Sequence, residues 1–283
     1  MGTERIRQFY VTAAGPGMYV EQWGSSGASP GRIVFVHGGG HTGVCWTQPP
    51  GGEQGWAPYF AGLGWEAYVV DWPGVGRSGY GPDFASTGAA AIVDAVEQLL
   101  VEVGPSFLIG HSIGGAVALK VADRRAELVR GIVAAMPGVV GNVPFDVPAA
   151  DESQPIFVSE EMARFMFAAS ERFPADDFAG YFGSLVPLSP RVYNALGART
   201  GDDLVLEHPD AVRSVPTLLL AADTDVVATR PSTEALAEFL KIDHVVLGPD
   251  WGLPGFGHMA PIERGTGEIA ARVARWIDGH TTR

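Results

Sequence analysis

One serine lies in a sequence context that suits a nucleophile. Ser112 is the centre of the pattern G-x-S-x-G at residues 110–114, after an apolar run at 107–109 and before a helical run. This order predicts a strand, a sharp turn that carries the serine, and a helix. Because such a turn is strained, the residues two positions away on either side must lack side chains. The helix N-terminus then favours an oxyanion that develops beside Ser112.

A glycine-rich turn offers the hydrogen-bond donors that an oxyanion needs. Residues 37–40 read His-Gly-Gly-Gly at the end of an apolar strand pattern. A tetrahedral intermediate requires two backbone N–H groups that converge on one oxygen. We expect Ile113 N–H to be one donor and Gly39 N–H, or else Gly40 N–H, to be the other. His37 and His41 are interpreted as hydrogen-bonding residues of this turn.

A serine hydroxyl also needs a base whose pKa lies near the working pH. Among the seven histidines, His258 is the candidate. It lies between Gly257 and Met259, after the last strand pattern, and in the chain order serine, acid, histidine. The alternative interpretation is a histidine that caps a helix.

Two aspartates compete for the role of the acid that orients His258. Asp223 and Asp225 both follow the strand pattern at residues 217–221. Asp225 is preferred because it lies far enough past the strand to reach the histidine loop. Asp223 is better placed to hydrogen-bond the turn itself.

The elements that must position these residues predict an α/β fold with a mostly parallel central sheet and helices on both faces. Short β-rich runs alternate with helical patterns, which is typical of this class. A leading hairpin is predicted at residues 8–12 and 18–22. The core strands are predicted at residues 32–37, 67–71, 106–111, 131–135, 217–221 and 244–247. The core helices are predicted at residues 89–103, 113–122, 231–240 and 262–277.

The alternation stops once, after the sixth strand. The interval is too long for a simple connection and contains short amphipathic patterns, so it predicts an inserted helical cap. We therefore expect a core at residues 1–140, a cap at 141–211 and the rest of the core at 212–283. A cap helix predicted at 159–172 places Met162, Phe165, Met166 and Ala169 on one stripe.

The apolar residues of the cap are the candidates for substrate contact. We assign this role to Met162, Phe165, Met166 and Tyr181, as part of an apolar wall. The alternative is that these side chains only attach the cap to the core. The cap arginines are spaced as on a solvated face, which favours an uncharged substrate portion.

Composition limits the classes of partner. The 283 residues are 46% hydrophobic with a net charge of −13, and the 19 basic residues are scattered, so no nucleic acid or membrane surface is expected. A small-molecule substrate is the expected partner, and no oligomeric state is predicted. Cys45 is the only cysteine and the N-terminus lacks the apolar run of a signal peptide, so a cytoplasmic location is expected. No metal-binding or dinucleotide motif is present, so no metal and no cofactor are expected.

Over nearly its whole length the chain resembles the α/β-hydrolase superfamily. Besides the serine pattern, residues 71–78 are similar to the family's D-x-P-G-x-G-x-S turn, and residues 215–220 resemble the strand before its acid. That acid usually ends a G-x-x-D run, which Asp225 matches except that Ala222 replaces the glycine.

The chain also resembles one subgroup of the family, but it lacks that subgroup's acidic residue. Residues 37–46 and 257–259 also resemble bacterial esterases whose acid is a glutamate after the sixth strand. This chain has Ala-Met-Pro-Gly at residues 135–138, and Met136 cannot act as an acid. The role therefore returns to Asp225.

The resemblance implies a serine hydrolase that cleaves a carboxylic ester or lactone of a mainly apolar small molecule through an acyl-enzyme on Ser112. The same triad would serve a carbon–carbon bond hydrolase, or a natural-product tailoring hydrolase or cyclase. A ligand-binding protein with an idle triad is the alternative outside the enzymes.

Overall fold

The computed structural model describes residues 5–12, 17–24, 29–81, 84–199 and 204–281. The strands in these ranges are β1 (Arg5–Val11), β2 (Met18–Trp23), β3 (Arg32–Val36), β4 (Glu66–Asp71), β5 (Ser106–His111), β6 (Val129–Ala135), β7 (Thr217–Ala221) and β8 (His244–Val246).

Helices connect these strands. The α-helices of the described ranges are α1 (Val44–Thr47), α2 (Trp56–Gly62), α3 (Ala89–Val103), α4 (Ile113–Arg125), α5 (Glu160–Met166), α6 (Phe178–Gly183), α7 (Pro190–Ala195), α8 (Pro209–Arg213), α9 (Arg230–Leu240), α10 (Leu247–Trp251) and α11 (Thr266–Asp278). Short 3-10 helices cover Pro50–Gly52, Phe84–Ser86, Ala126–Leu128, Ala175–Asp177 and Ala260–Ile262.

The sheet is mostly parallel, which confirms the predicted fold class. Its strand order is β1-β2-β4-β3-β5-β6-β7-β8. The two pairs that include β2 are antiparallel, and the pairs from β4 to β8 are parallel. The chain moves to one side of the sheet after β3 and to the other side after β5. Ligands of such sheets bind beyond the carboxyl ends of the strands where this direction reverses, which is here between β3 and β5.

The sheet is buried on both faces, as parallel sheets require. Alternate residues of β3 show this, because Val34 and Val36 contact the apolar layer formed with α3, α4 and α9. Ile33 and Phe35 point to the opposite layer, formed with α2 and α11. The two layers hold the strands rigidly, and the loops at their carboxyl ends start from fixed positions.

The predicted core strands and helices agree with the structure to within a few residues. The largest difference among the core helices is at α11, which begins at Thr266 rather than at residue 262. Residues Ala260–Ile262 instead form a separate 3-10 helix, and Glu263 after them is extended.

The helix predicted at residues 159–172 is shorter, and this prediction is wrong at its C-terminal end. Ser159 caps α5 by accepting a hydrogen bond from Met162 N–H, and the helix ends at Met166. The Ser170 hydroxyl accepts from the backbone N–H groups of the next turn, which replaces the helical pattern there. The shorter helix buries Ala163 and Phe167 instead of the predicted stripe.

A long segment separates β6 from β7, although these two strands pair directly in the sheet. It contains α5 to α8. Its assignment as a cap stays a prediction at this point. Among the helices of the ranges described above, none combines the length and the apolar character needed to cross a membrane.

Candidate active site

Ser112 occupies a strained turn between β5 and α4. Its backbone has φ 52° and ψ −124°, in a region that L-residues rarely adopt. A side chain at Gly110 would collide with the Gly114 carbonyl, and one at Gly114 with the His37 carbonyl. The turn can therefore form only with glycine at both positions. It holds the Ser112 side chain partly accessible beyond the carboxyl end of β5.

The Ser112 hydroxyl lies next to His258. The distance from Ser112 Oγ to His258 Nε2 is 3.1 Å, and His258 Nδ1 is 2.9 Å from Asp225 Oδ2. Because a carboxylate only accepts, Nδ1 carries the proton and Nε2 is free to accept from the serine hydroxyl. The His258 and Asp225 side chains are 1% and 0% exposed, so little water competes for these hydrogen bonds.

Asp225 and Asp223 have different positions after β7. The second oxygen of Asp225 accepts from the N–H groups of Val227 and Ala228, at 2.7 and 3.0 Å. Asp223 is exposed, and its carboxylate accepts from Gly255 N–H at 2.9 Å. The structure therefore brings Asp225 to His258, whereas Asp223 holds the loop that precedes this histidine.

The loop that carries His258 is fixed from two sides. Thr224 N–H and Oγ1 both donate to the Phe256 carbonyl, at 3.1 and 2.7 Å. The carboxylate of Glu263 accepts from Gly257 N–H at 2.9 Å. These hydrogen bonds, with the one from Gly255 to Asp223, keep the imidazole in one orientation.

Two buried ionisable residues next to His258 have pKa values that burial shifts towards the neutral form. His111 Nε2 donates to the His258 carbonyl at 2.8 Å, and burial lowers the pKa of His111 well below its usual value. Burial raises the pKa of Glu263 from 4.5 to about 7, although the hydrogen bond from Gly257 acts in the opposite direction. The sequence predicts neither residue as a support of the base. The signal in the sequence is position alone, because His111 directly precedes Ser112 and Glu263 follows His258 by five residues.

The glycine turn after β3 lies directly against the serine turn. A Cβ at Gly38 would be 2.9 Å from Ser112 Cβ, and a Cβ at Gly39 would be 2.9 Å from Ile113 Cδ1. Ile113 is the first residue of α4, where backbone N–H groups have no partner within the helix. The structure thus brings Gly39 and Ile113 together beside Ser112. Gly40 follows in a left-handed conformation, with φ 76°.

His37 and His41 hold the glycine turn, as the sequence interpretation expects. The carbonyls of Gly38 and Gly39 accept from Nδ1 of His37 and His41 respectively, each at 2.8 Å. Burial lowers the pKa of His37 to about 4 and that of His41 to about 3. Both rings are therefore neutral at ordinary pH.

The segment between β6 and β7 places aromatic residues over these histidines. Phe167 stacks on His258 with ring centroids 5.9 Å apart and meets His41 edge-on at 5.0 Å. Tyr181 donates a hydrogen bond to His41 Nε2 at 2.8 Å. Phe167 is not predicted from the sequence as a site residue, because the predicted helical stripe turns its neighbours Phe165 and Met166 inward instead.

The other predicted contact residues of this segment differ in exposure. Met166 is partly buried against the aromatic cluster of Phe173, Phe178 and Tyr181. Met162 and Phe165 are 48% and 61% exposed. Their contact with a substrate stays a prediction.

A cavity of about 330 Å³ lies behind the His41–Tyr181 pair. Its lining includes Cys45, Gln48 and Ser184 in addition to that pair, but neither Ser112 nor His258. Within the part of the chain that the structure describes, no group of three or more His, Cys, Asp or Glu side chains is arranged to hold a metal ion.

Relatives of this chain include esterases and lipases. A probable secreted lipase from Fungal sp. (strain ATCC 74256) is 24% identical, over 98% of this chain and 90% of the relative. An esterase of Mycobacterium tuberculosis (strain ATCC 25618 / H37Rv) is 31% identical over 40% of this chain and 34% of its own. The structure of a thermophilic esterase from Thermogutta terrifontis has the same fold, with a TM-score of 0.71, 19% identity and coverage of 98% of this chain and 100% of that one.

Most of the chain matches one protein family. The model of the alpha/beta hydrolase family matches residues 33–272, from β3 into α11. This range includes the serine turn, the glycine turn and the histidine loop, in the chain order that the family resemblance predicts. The chain therefore belongs to the alpha/beta hydrolase family.

Proposed function

We propose that this chain is a serine hydrolase that cleaves a carboxylic ester or lactone of a mainly apolar small molecule. The observation that carries the proposal is the series formed by the partly accessible Ser112 Oγ and the buried His258 and Asp225, with separations of 3.1 Å from Oγ to His258 Nε2 and 2.9 Å from His258 Nδ1 to Asp225 Oδ2. A hydroxyl, an imidazole in the accepting tautomer and a buried carboxylate in this order can activate an oxygen nucleophile.

The first half of the reaction forms an acyl-enzyme. Ser112 Oγ attacks the ester carbonyl carbon while His258 Nε2 takes the hydroxyl proton. Asp225 stabilises the imidazolium that results. The carbonyl oxygen becomes an oxyanion, for which Ile113 N–H and Gly39 N–H, with Gly40 N–H as the alternative, are the donors. When the carbonyl re-forms, the leaving alcohol departs with the proton from His258.

The second half releases the acyl group. Water enters beside His258, gives a proton to Nε2 and attacks the acyl carbon through the same oxyanion arrangement. The bond to Ser112 Oγ breaks, and the serine recovers its proton from His258. With a lactone, the alcohol and the acid produced remain in one molecule. No cofactor takes part in any of these steps.

We also propose that residues 141–211 form a cap over a core built from residues 1–140 and 212–283. Support comes from Phe167 against His258 and from Leu188, which lies against Gly39. Both residues belong to the segment between β6 and β7. Such a cap would exclude water while the acyl-enzyme forms.

An apolar substrate fits the side chains near the nucleophile. Ile113, Phe167 and Leu188 are apolar and buried. We assign the wall beside His258 to Phe167 and retain Met166 as a neighbour on the same segment. Met162 and Phe165 would act only at an outer entrance. A neutral ester is therefore expected to compete better than an anionic one of equal size.

The test is hydrolysis of p-nitrophenyl esters of short to medium acyl chains by the wild type and by Ser112→Ala. We expect kcat to fall by about 10⁴ to 10⁶ in the variant. Ser106→Ala is the matched control, because Ser106 lies at the opposite end of β5 and its hydroxyl donates only to the Gly104 carbonyl. Its kcat should stay within about threefold of the wild type.

Two outcomes would redirect the proposal. If Ser112→Ala kept the wild-type rate, Ser112 would not be the nucleophile. If the wild type hydrolysed no ester but reacted with a fluorophosphonate at Ser112, the substrate class would be wrong. Carbon–carbon cleavage or natural-product tailoring would then be favoured.

The cytoplasmic location stays a prediction, since the fungal relative is described as secreted.

A further inference from the structure

The two peptide units of the glycine turn are each held by a histidine. His37 donates to the Gly38 carbonyl, and His41 donates to the Gly39 carbonyl, both at 2.8 Å. In a trans peptide the C=O and the following N–H point in opposite directions. Fixing the Gly38 carbonyl therefore also fixes Gly39 N–H, and fixing the Gly39 carbonyl fixes Gly40 N–H.

A turn made of consecutive glycines needs such restraints. Glycine adopts positive and negative φ with similar ease, as Gly40 with φ 76° illustrates. A peptide between Gly39 and Gly40 could therefore rotate at low cost. Rotation would place the Gly39 carbonyl oxygen where Gly40 N–H now lies, and a carbonyl oxygen repels an oxyanion.

Each histidine needs a donor on its other nitrogen. Both rings are buried and neutral, and each Nδ1–H is used on a carbonyl, so each Nε2 can only accept. His37 Nε2 accepts from Trp72 N–H at 3.1 Å. His41 Nε2 accepts from the Tyr181 hydroxyl at 2.8 Å.

The two donors belong to different parts of the molecule. Trp72 N–H is a backbone group directly after β4, within the sheet core. Tyr181 is a side chain of α6, in the segment between β6 and β7. Val186 of the same segment donates its N–H to the Gly40 carbonyl at 3.0 Å. The first peptide of the turn is thus held by the core and the second by that segment.

We propose that Tyr181 is a positioning residue that acts through His41 to hold the Gly39–Gly40 peptide, so that Gly40 N–H, the alternative second donor of this turn, faces the oxyanion. This inference rests on the proposed acyl transfer. If the inference is correct, stabilisation of the oxyanion depends on the position of the segment between β6 and β7 relative to the glycine turn. Tyr181 then also has a role other than the substrate contact predicted from the sequence.

The variant that tests the proposal is Tyr181→Phe, which removes the hydroxyl and keeps the ring against Phe173, whose centroid is 5.0 Å away. The matched control is Tyr193→Phe in α7, the same change in the same segment, on a ring that packs against Phe145. For each protein, kcat and KM for a p-nitrophenyl ester are measured together with the affinity for a trifluoromethyl ketone. This ketone adds Ser112 Oγ to its carbonyl carbon, and its oxygen becomes an oxyanion.

We expect Tyr181→Phe to lower kcat and the affinity for the trifluoromethyl ketone by a similar factor of about 10 to 100, less than the loss of a whole oxyanion donor. KM should change less than about threefold, and Tyr193→Phe should resemble the wild type. In a His41→Ala background, Tyr181→Phe should have little further effect, because the two residues act in series.

Three results would overturn the inference. An active wild type whose ketone affinity is unchanged by Tyr181→Phe would refute the positioning role and leave the proposed function intact. A variant that changes only KM would return Tyr181 to the predicted substrate contact, and one that changes only the unfolding temperature would show a merely structural hydroxyl. A wild type that neither hydrolyses esters nor binds the ketone would remove the proposed function, and this inference with it.

Discussion

The loops at the carboxyl edge of the sheet and the segment between β6 and β7 are built in different ways. In the loops, short hydrogen bonds from fixed backbone groups hold each side chain, as for Asp225 and the His258 loop. In the segment, short helices are joined by aromatic packing, such as Phe173 against Tyr181. Exposed apolar side chains, Met162 and Phe165, lie on its outside.

This difference indicates that the loops and the segment have separate functions. Hydrogen bonds are directional, so the loops can hold reacting atoms within a few tenths of an ångström. Apolar packing tolerates changes of shape when volume is kept. Substitutions in the loops should therefore change kcat, whereas substitutions in the segment should change KM and the preference for acyl chains. Tyr181 is the expected exception, because it belongs to the segment and acts on a loop.

After Ser112→Ala, the largest effect is expected from Asp225→Asn, compared with Asp223→Asn. An amide at residue 225 would favour the wrong tautomer of His258 and leave the imidazolium without a counter-charge. We expect kcat to fall by about 10⁴. In Asp223→Asn the new amide oxygen could still accept from Gly255 N–H, so that variant should lose less than about threefold. Ester hydrolysis at neutral pH measures both, and a larger loss in Asp223→Asn would reverse the assignment of the acid.

A smaller effect on catalysis is expected from Phe167→Ala, because it changes the wall and not the reacting groups. KM for apolar esters should rise about tenfold, whereas kcat should change less. A tenfold change corresponds to the binding free energy of about one to two buried methylene groups. The lost packing should also cost about 3 to 5 kcal/mol of unfolding free energy. Phe167→Leu is the control and should recover most of both. A KM for medium-chain esters that is the same in Phe167→Ala as in the wild type would contradict the assigned wall.

Glu263→Gln tests the buried carboxyl next to the histidine loop. The pKa of Glu263 is raised from 4.5 to about 7, so the folded state binds the proton more tightly than the unfolded state. The contribution of this group to stability is therefore greatest below about pH 4.5, falls as the pH rises through 7, and is constant above it. The glutamine keeps an acceptor for Gly257 N–H without the buried charge.

Relative to the wild type, Glu263→Gln should therefore be more stabilising at pH 8 than at pH 5, by on the order of 2 kcal/mol. Denaturant unfolding at the two pH values measures this difference. A difference that is zero or of the opposite sign would show that Glu263 is ionised in the folded protein throughout this range.

The smallest effects are expected from Met162→Ser and Phe165→Ser, on the outside of α5. Both side chains are largely exposed, so each change should alter the unfolding free energy by less than about 0.5 kcal/mol. Hydrolysis of short esters should be unaffected within about twofold. A loss comparable to that in Phe167→Ala would place these residues on the substrate path, as the sequence predicts.

The sequence predicted the sheet well because each core strand carries a local signal. The run that ends in His111, with glycines on both sides of Ser112, is an example of a pattern that only a strand, a turn and a helix can satisfy. The segment between β6 and β7 was predicted less well, because apolar periodicity there did not reveal that α5 ends at Met166.

The supports of the site could not be read from sequence. Whether Glu263 reaches Gly257 N–H, or Tyr181 reaches His41, depends on contacts between distant parts of the chain. From the sequence, the choice between Asp223 and Asp225 rests only on how far each lies past the strand and whether its side chain can reach the histidine loop. The structure brings only one of the two carboxylates to the histidine.

The most direct test of the central claim is the site of reaction with a fluorophosphonate. If Ser112 is the nucleophile, its Oγ will displace fluoride and form a bond to phosphorus. Peptide mass spectrometry should then find one adduct, on Ser112. Ser112→Ala should carry none, and His258→Gln should react at least about 100-fold more slowly. A folded wild type without an adduct on Ser112, or equal labelling of Ser112→Ala, would contradict the account.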